Sequence, residues 1–245
     1  TGTNNTAIGK GTLSTQSGAI NDNTAVGYNA GNALTTATQS TFVGSTTGDS
    51  ITTGSQNTAM GFAALSACQT GTYNVAVGRA ALQLVTGGTN TGLGGNAGNA
   101  VTTGENNLIL GYNADTAAVD SDNSVTLGDA NIAAIRCQVQ TISSLSDARD
   151  KKNIEPLPVG LDFINSLNPV KFTWDMRDGA KVDIDEAGFI AQELDQAQQD
   201  HDAEDYLQLV LKDNPEKLEA SYGKLVPALV KAIQELTARI ETLEG

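Results

Sequence analysis

The chain has 245 residues, with 28 acidic against 14 basic side chains and a formal net charge of −14. A surface this acidic repels phosphate, which argues against nucleic-acid wrapping, and no apolar run approaches the length a membrane helix needs. One histidine and two cysteines rule out a multi-histidine zinc site and a disulfide framework, so no metal and no cofactor are expected. Cys68 and Cys137 read as small buried residues. His201, among Asp200, Asp202, Glu204 and Asp205, reads as exposed. The chain starts at Thr1 with no charged or apolar leader and reads as a fragment of something longer.

Composition changes near residue 135. All five prolines lie after it, and 21 of the 26 glycines lie before it. Residues 1–135 repeat a short pattern: NTAIG ending at Gly9, NTAVG at Gly27, STFVG at Gly44, NTAMG at Gly61, NVAVG at Gly78, NTGLG at Gly94, NLILG at Gly111 and SVTLG at Gly128. The eight copies are spaced by 18, 17, 17, 17, 16, 17 and 17 residues. A period held over seven intervals marks a repeat architecture. Each unit reads as a short strand ended by a glycine that takes angles other residues avoid. A second, weaker strand is expected in most copies, as in NALTT near Leu34 and AALQLV near Leu84, before a TTG-type turn. One unit buries no useful core, but stacked units do, as a β-solenoid or β-roll. Aromatics are sparse (Tyr28, Phe42, Phe62, Tyr73, Tyr112), so the core is thin and gains by packing on copies of itself. Low charge and a regular Ile/Val/Leu position argue against a disordered linker. The units resemble the NTAxG arrays of phage tail fibres and the head repeats of trimeric autotransporter adhesins, a resemblance that implies a trimeric, rod-like stalk.

Residues 136–145 form a connector, and 146–245 read as a small α+β domain. LPVGLDFINSLNPVKFTW carries a helical apolar face at Leu161, Ile164 and Leu167, stopped by Asn168-Pro169, then a strand over Val170–Trp174. DMRDGAKVDIDE reads as a turn between strands, AGFIAQELDQAQQ as a strand running into a helix, and DYLQLVLKD as strand-like. The end is the clearest helix, a coiled coil over 222–244. Its seam is Val226, Leu229, Ile233, Leu236, Ile240 and Leu243, in steps of 3, 4, 3, 4 and 3. β-Branched residues at one seam position with Leu at the other lean toward two strands, so the repeats are expected to dictate the chain number. The alternative is a helix packed on its own domain. Pro227 fits the first helical turn.

Between stalk and domain lies SLSDARDKKNI, residues 144–154. A serine becomes a nucleophile when a base takes its proton, and a lysine serves as that base when its neutral form is favoured. Spacing alone makes this a hydrated linker. The wider pattern, Ser146-Asp147-Ala148-Arg149-Asp150-Lys151-Lys152-Asn153-Ile154, resembles the S-D-x-R-x-K-x-[ND]-I entry of the intramolecular chaperone domain of endosialidases and phage tail spikes and fibres. KFTW (171–174), AGFIAQEL (187–194) and SYGKLVPALVKAIQEL (221–236) resemble that family's later segments in the same order. The resemblance implies a homotrimerising chaperone that holds fibre chains in register. It then cuts itself off between Leu145 and Ser146, with Ser146 as nucleophile and Lys151 as its base, a single-turnover Ser–Lys peptidase. Asp147 and Arg149 match without an assigned role; ion pairs that shape the turn are an equal reading. Asp150 stands where an apolar residue is expected, and a carboxylate beside the ammonium would slow the cut.

The reading is therefore a homotrimeric tail fibre or spike of a virion, assembled in the host cytoplasm, with no nucleic-acid or membrane partner and with a host-surface receptor as the open partner. The alternative is a non-cleaving structural trimerisation tail of a fibre or an adhesin. An adhesin stalk would show an aromatic cluster, and a conventional enzyme would show paired carboxylates or a phosphate loop; neither pattern is present.

Overall fold

The computed structural model describes residues 2–15, 17–138, 142–177, 179 and 181–245. Two compact units follow one another in the chain, Thr1–Ile132 and Ala133–Gly245.

The first unit is a β-solenoid of about seven turns. Among the described residues each repeat contributes one three-residue strand: β1 Thr6–Ile8, β2 Thr24–Val26, β3 Thr41–Val43, β4 Thr58–Met60, β5 Val75–Val77, β6 Thr91–Leu93, β7 Leu108–Leu110 and β8 Val125–Leu127. They form one parallel sheet in sequential order. The pairing is in register throughout, so that Val26 lies beside Val43, Val43 beside Met60 and Met60 beside Val77. Side chains alternate across a strand. The middle residue of the inner coils points into the core, where Ala25, Phe42, Ala59, Ala76 and Ile109 are fully buried. The third residue faces out and builds an eight-rung apolar ladder from Ile8 to Leu127. Of the five aromatics, Phe42 is buried and Tyr28, Phe62, Tyr73 and Tyr112 are exposed.

The glycine after each strand is demanded twice over. Gly78 has φ +136°, and a Cβ there would lie 2.3 Å from the Gly94 carbonyl oxygen one coil on. The expected second strand does not form. Most of its apolar residues are buried, as Leu34, Leu65, Leu82 and Val85 show, but in turns, and Leu84 is 49% exposed. Leu65 and Leu82 take left-handed angles (φ 55° and 48°). Their N–H groups donate to the Ala81 and Ala97 carbonyls of the next coil at 3.0 and 2.9 Å. Coil-to-coil hydrogen bonds thus satisfy the backbone without strand geometry.

A column of buried amides runs beside the sheet. The Asn74 N–H donates to Asn57 Oδ1 (2.9 Å), Asn74 Nδ2 donates to the Gly87 carbonyl (3.0 Å), and Asn74 Oδ1 accepts from the Asn90 N–H (2.9 Å). Asn107 continues the column, and Ser40 takes the equivalent place between Asn23 and Asn57.

The second unit is α+β. Helix α1 (Leu161–Ser166) leads into an antiparallel hairpin, β9 (Val170–Asp175) and β10 (Val182–Gly188). The turn expected between them falls partly on residues 178 and 180, outside the described set. Helix α2 (Ala191–Asp200) follows, then α3 (Glu204–Leu207) and a two-residue pair, β11 (Val210–Leu211) with β12 (Glu219–Ala220). DYLQLVLKD is thus half helix, since Tyr206 and Leu207 close α3 before the strand begins. Helix α4 (Val226–Glu244) ends the chain, with Pro227 in its first turn.

The core of this unit gathers Val159, Phe163, Leu194, Ala203, Leu209, Leu225 and Ala228. Phe163 is its deepest α1 residue, while Ile164 and Leu167 only flank it. Glu235 of α4 accepts a hydrogen bond from the Leu161 N–H at 2.8 Å and so caps α1 from the other helix. His201 is half-buried rather than exposed: its ring meets Phe163 edge-on at 5.3 Å, and Nδ1 lies 3.0 Å from the Ala197 carbonyl. Cys68 is buried in the solenoid, and burial pushes its thiol pKa up. Cys137 is exposed rather than buried. Residues 139–141 of the connector lie outside the described set.

Candidate functional site

Ser146 and Lys151 are five residues apart and meet across a single 3-10 turn, Ala148–Asp150. Asp147 caps it: its Oδ1 accepts from the Arg149 N–H at 2.9 Å. The Arg149 guanidinium folds back on the same carboxylate, with Nη2 2.6 Å from Oδ2 and Nε 3.1 Å from both oxygens. That guanidinium first, and the Arg149 N–H second, hold the Asp147 carboxyl below its ordinary range; the carboxylate in turn raises the Arg149 pKa. The turn closes where the Asp150 and Lys151 N–H groups donate to the Asp147 and Ala148 carbonyls, both at 3.2 Å. Asp147 and Arg149 are therefore the ion pair that shapes the turn.

The chain reversal aims Lys151 Nζ at Ser146 Oγ, 2.7 Å away. This is hydrogen-bond contact between a nucleophile-type side chain and a base-type one. Among the described residues no ion pair joins Asp150 to Lys151; the ammonium turns to the serine instead. Leu145 precedes the turn at 95% exposure, and residues 144–155 are all exposed. Ser146 and Lys151 are themselves both exposed.

The seam residues of α4 stand on its open side. Val226, Leu229, Ile233, Leu236, Ile240 and Leu243 are each between 43% and 86% exposed, whereas Ala228 and Ala232 are buried. Helix α4 is thus both an element packed on its own domain and a carrier of an unpaired apolar stripe. The aromatic segments also converge, which sequence reading missed. Phe172 and Trp174 of β9, Phe189 after β10 and Tyr222 before α4 line one open groove of about 900 Å³. Tyr222 Oη accepts from the Phe189 N–H at 3.1 Å, Trp174 Nε1 donates to Glu186 at 2.6 Å, and Lys181 Nζ lies 4.6 Å from the Trp174 ring centre. Among the described residues no group of three or more His, Cys, Asp or Glu is placed to hold a metal ion, and no helix is long and apolar enough to cross a membrane.

Residues 146–203 match the family model described as chaperone of endosialidase. The match starts at Ser146 and spans the KFTW and AGFIAQEL segments, ending before the terminal helix. No curated protein and no solved structure gives a significant match. After its β-solenoid, the chain thus carries a segment similar to the chaperone-of-endosialidase family model, and that similarity begins at the serine that Lys151 contacts.

Proposed function

We propose that residues 146–245 form a trimerising folding chaperone that holds three solenoids in register and then releases itself by cutting the Leu145–Ser146 bond. The observation that carries this reading is the 2.7 Å contact between Lys151 Nζ and Ser146 Oγ, at the residue where the family match begins. The family is associated with phage tails, so the parent protein is a virion tail fibre or spike, with its receptor, if any, engaged through the fibre. Aligning three long chains with one another is non-local and slow, and leaves apolar surface exposed while it happens. A transient template at the chain end answers that need.

In the cut, Lys151 in its neutral form accepts the Ser146 hydroxyl proton, and Oγ attacks the Leu145 carbonyl carbon. The C–N bond breaks, the Ser146 nitrogen takes a proton and becomes a free α-amine, and Leu145 is left as an ester on Oγ. Water then hydrolyses the ester to a Leu145 carboxylate and restores the hydroxyl. Burial is what favours a neutral lysine, and the single chain leaves the pair exposed. The enclosing wall then has to come from another copy, which makes the cut depend on assembly.

The same exposure favours one other reading, a trimerisation tail that never cuts. Intact mass under denaturing conditions separates the two. The wild-type chain is expected to give a product ending at Leu145 that Ser146→Ala and Lys151→Ala both abolish. Full-length mass in all three chains would leave the non-cleaving tail.

A further inference from the structure

Within the first unit, the eight-rung ladder on the outer face of the solenoid sheet has four exposed rungs and four half-buried ones, Val26, Val43, Val77 and Leu110. Its rungs are in register from Ile8 to Leu127. Ile8, Met60, Leu93 and Leu127 are 60%, 46%, 50% and 48% exposed. The column beside it, the first residue of each strand, holds only Thr, Val and Leu. None of the residues of β1 to β8 carries a charge, in a chain of net charge −14. Strands about 4.8 Å apart make the two columns about 34 Å long and about 10 Å wide, roughly 350 Å² of uncharged surface. That is within the roughly 300–600 Å² of an ordinary monomer's largest apolar patch, which is often functional, so the case for a partner rests on the regular rungs and not on area.

The rung spacing selects the partner. A helix face repeats at about 5.4 Å and falls about 4 Å out of step over seven intervals of about 4.8 Å. The column two residues past the ladder carries two basic residues, Lys10 and Arg79, and one acidic one, Asp129, too little positive charge to suit an anionic lipid surface. A second copy of the same solenoid has the same period on every rung. We propose that this ladder is the face on which the solenoids of the homotrimer meet, around an axis parallel to the coil stack, so that each rung sits level with the same rung of its neighbours. The inference rests on the trimer reading and assigns its stalk surface. The patch is smaller than the roughly 800 Å² per partner of a standard interface. It therefore acts together with the α4 stripe, which raises the local concentration of ladders.

Site-specific cross-linking of the full chain tests this, in a Cys137→Ser background with Cys68 left buried. Met60→Cys and Leu93→Cys place a thiol on the ladder, and Thr103→Cys places one on an exposed turn off it. Under mild copper–phenanthroline oxidation the ladder variants are expected to give a covalent dimer that levels off near two-thirds of the chains, since one disulfide joins two of three copies. Thr103→Cys should stay single. Co-expressed Met60→Cys and Leu93→Cys chains should form no mixed dimer, because the rungs lie two coils apart. Light scattering on the same samples separates the failures. A trimer in which ladder thiols cross-link no more than Thr103→Cys overturns the ladder and leaves the trimer standing. A single-chain mass overturns both.

Discussion

Asn74 shows how single residues hold this solenoid. Its amide and N–H tie neighbouring coils together, through the buried Asn57 and Asn90 and the part-buried Gly87 carbonyl. Asn74→Ala leaves the Asn90 N–H and the Gly87 carbonyl without their partners, a loss of about 2–4 kcal/mol, visible as a lower unfolding midpoint. Asn57→Ser should cost less than Asn57→Ala, since Ser40 fills the equivalent place: its hydroxyl accepts from the Asn57 N–H at 3.1 Å and donates to the Thr38 carbonyl at 3.2 Å. At the candidate site, Asp147→Asn removes the carboxylate that the Arg149 guanidinium grips. Cleavage should slow while the fold stays intact. Because the Asp147 pKa is lowered in the folded chain, its hold on the turn is complete above the ordinary carboxylate range and is lost as acid protonates it. The Asp147→Asn defect should therefore shrink in acid, read from cleavage rates of both chains across pH. Asp150 bears on Lys151 only through solvent, where a charge pair is worth about 1 kcal/mol. Asp150→Leu should change the rate by less than about tenfold, against a complete loss for Lys151→Ala. Glycine spacing and the Ser–Lys pattern were legible at this scale. Glu235 as a cap for α1 was not, because the two residues lie 74 positions apart and nothing local links them.

At the scale of elements, α4 makes two different demands on one helix. Ala232 faces the domain core and Ile233 faces out, at 4% and 62% exposure. Ala232→Asp should unfold the C-terminal unit, whereas Ile233→Asp should leave its circular dichroism intact and lower the assembled mass in light scattering. If Ile233→Asp also unfolds the unit, the stripe belongs to the domain and not to a partner. The heptad steps made the stripe readable in sequence. The inward contact of Ala228 and Ala232 was not, since alanines carry no strong apolar signal. The second strand of each repeat failed for a related reason. AALQLV has the apolar content of a strand, but its Leu82 and, one coil earlier, Leu65 sit at left-handed angles that local propensity disfavours. Stacking on the next coil imposes them, and one repeat read alone cannot show that. Gly78→Ala tests the same stacking: a Cβ only 2.3 Å from the Gly94 oxygen forces the coils apart, and the unfolding midpoint should drop.

Across the whole molecule, charge and apolar surface are kept apart. The acidic excess makes copies repel one another, while the solenoid ladder and the α4 stripe carry no charge and are half-buried to exposed. The same division explains an exposed dyad. Ser146 and Lys151 are in contact but exposed in one chain; under the proposed function, the cut would wait for assembly to enclose them. Dilution below the assembly range should therefore slow cleavage per chain. Native mass spectrometry of the freshly made chain tests both halves of this account in one spectrum. The predicted result is three copies of residues 1–145 held together, with the 146–245 fragment released or bound alongside. A single uncut chain of 245 residues would contradict it.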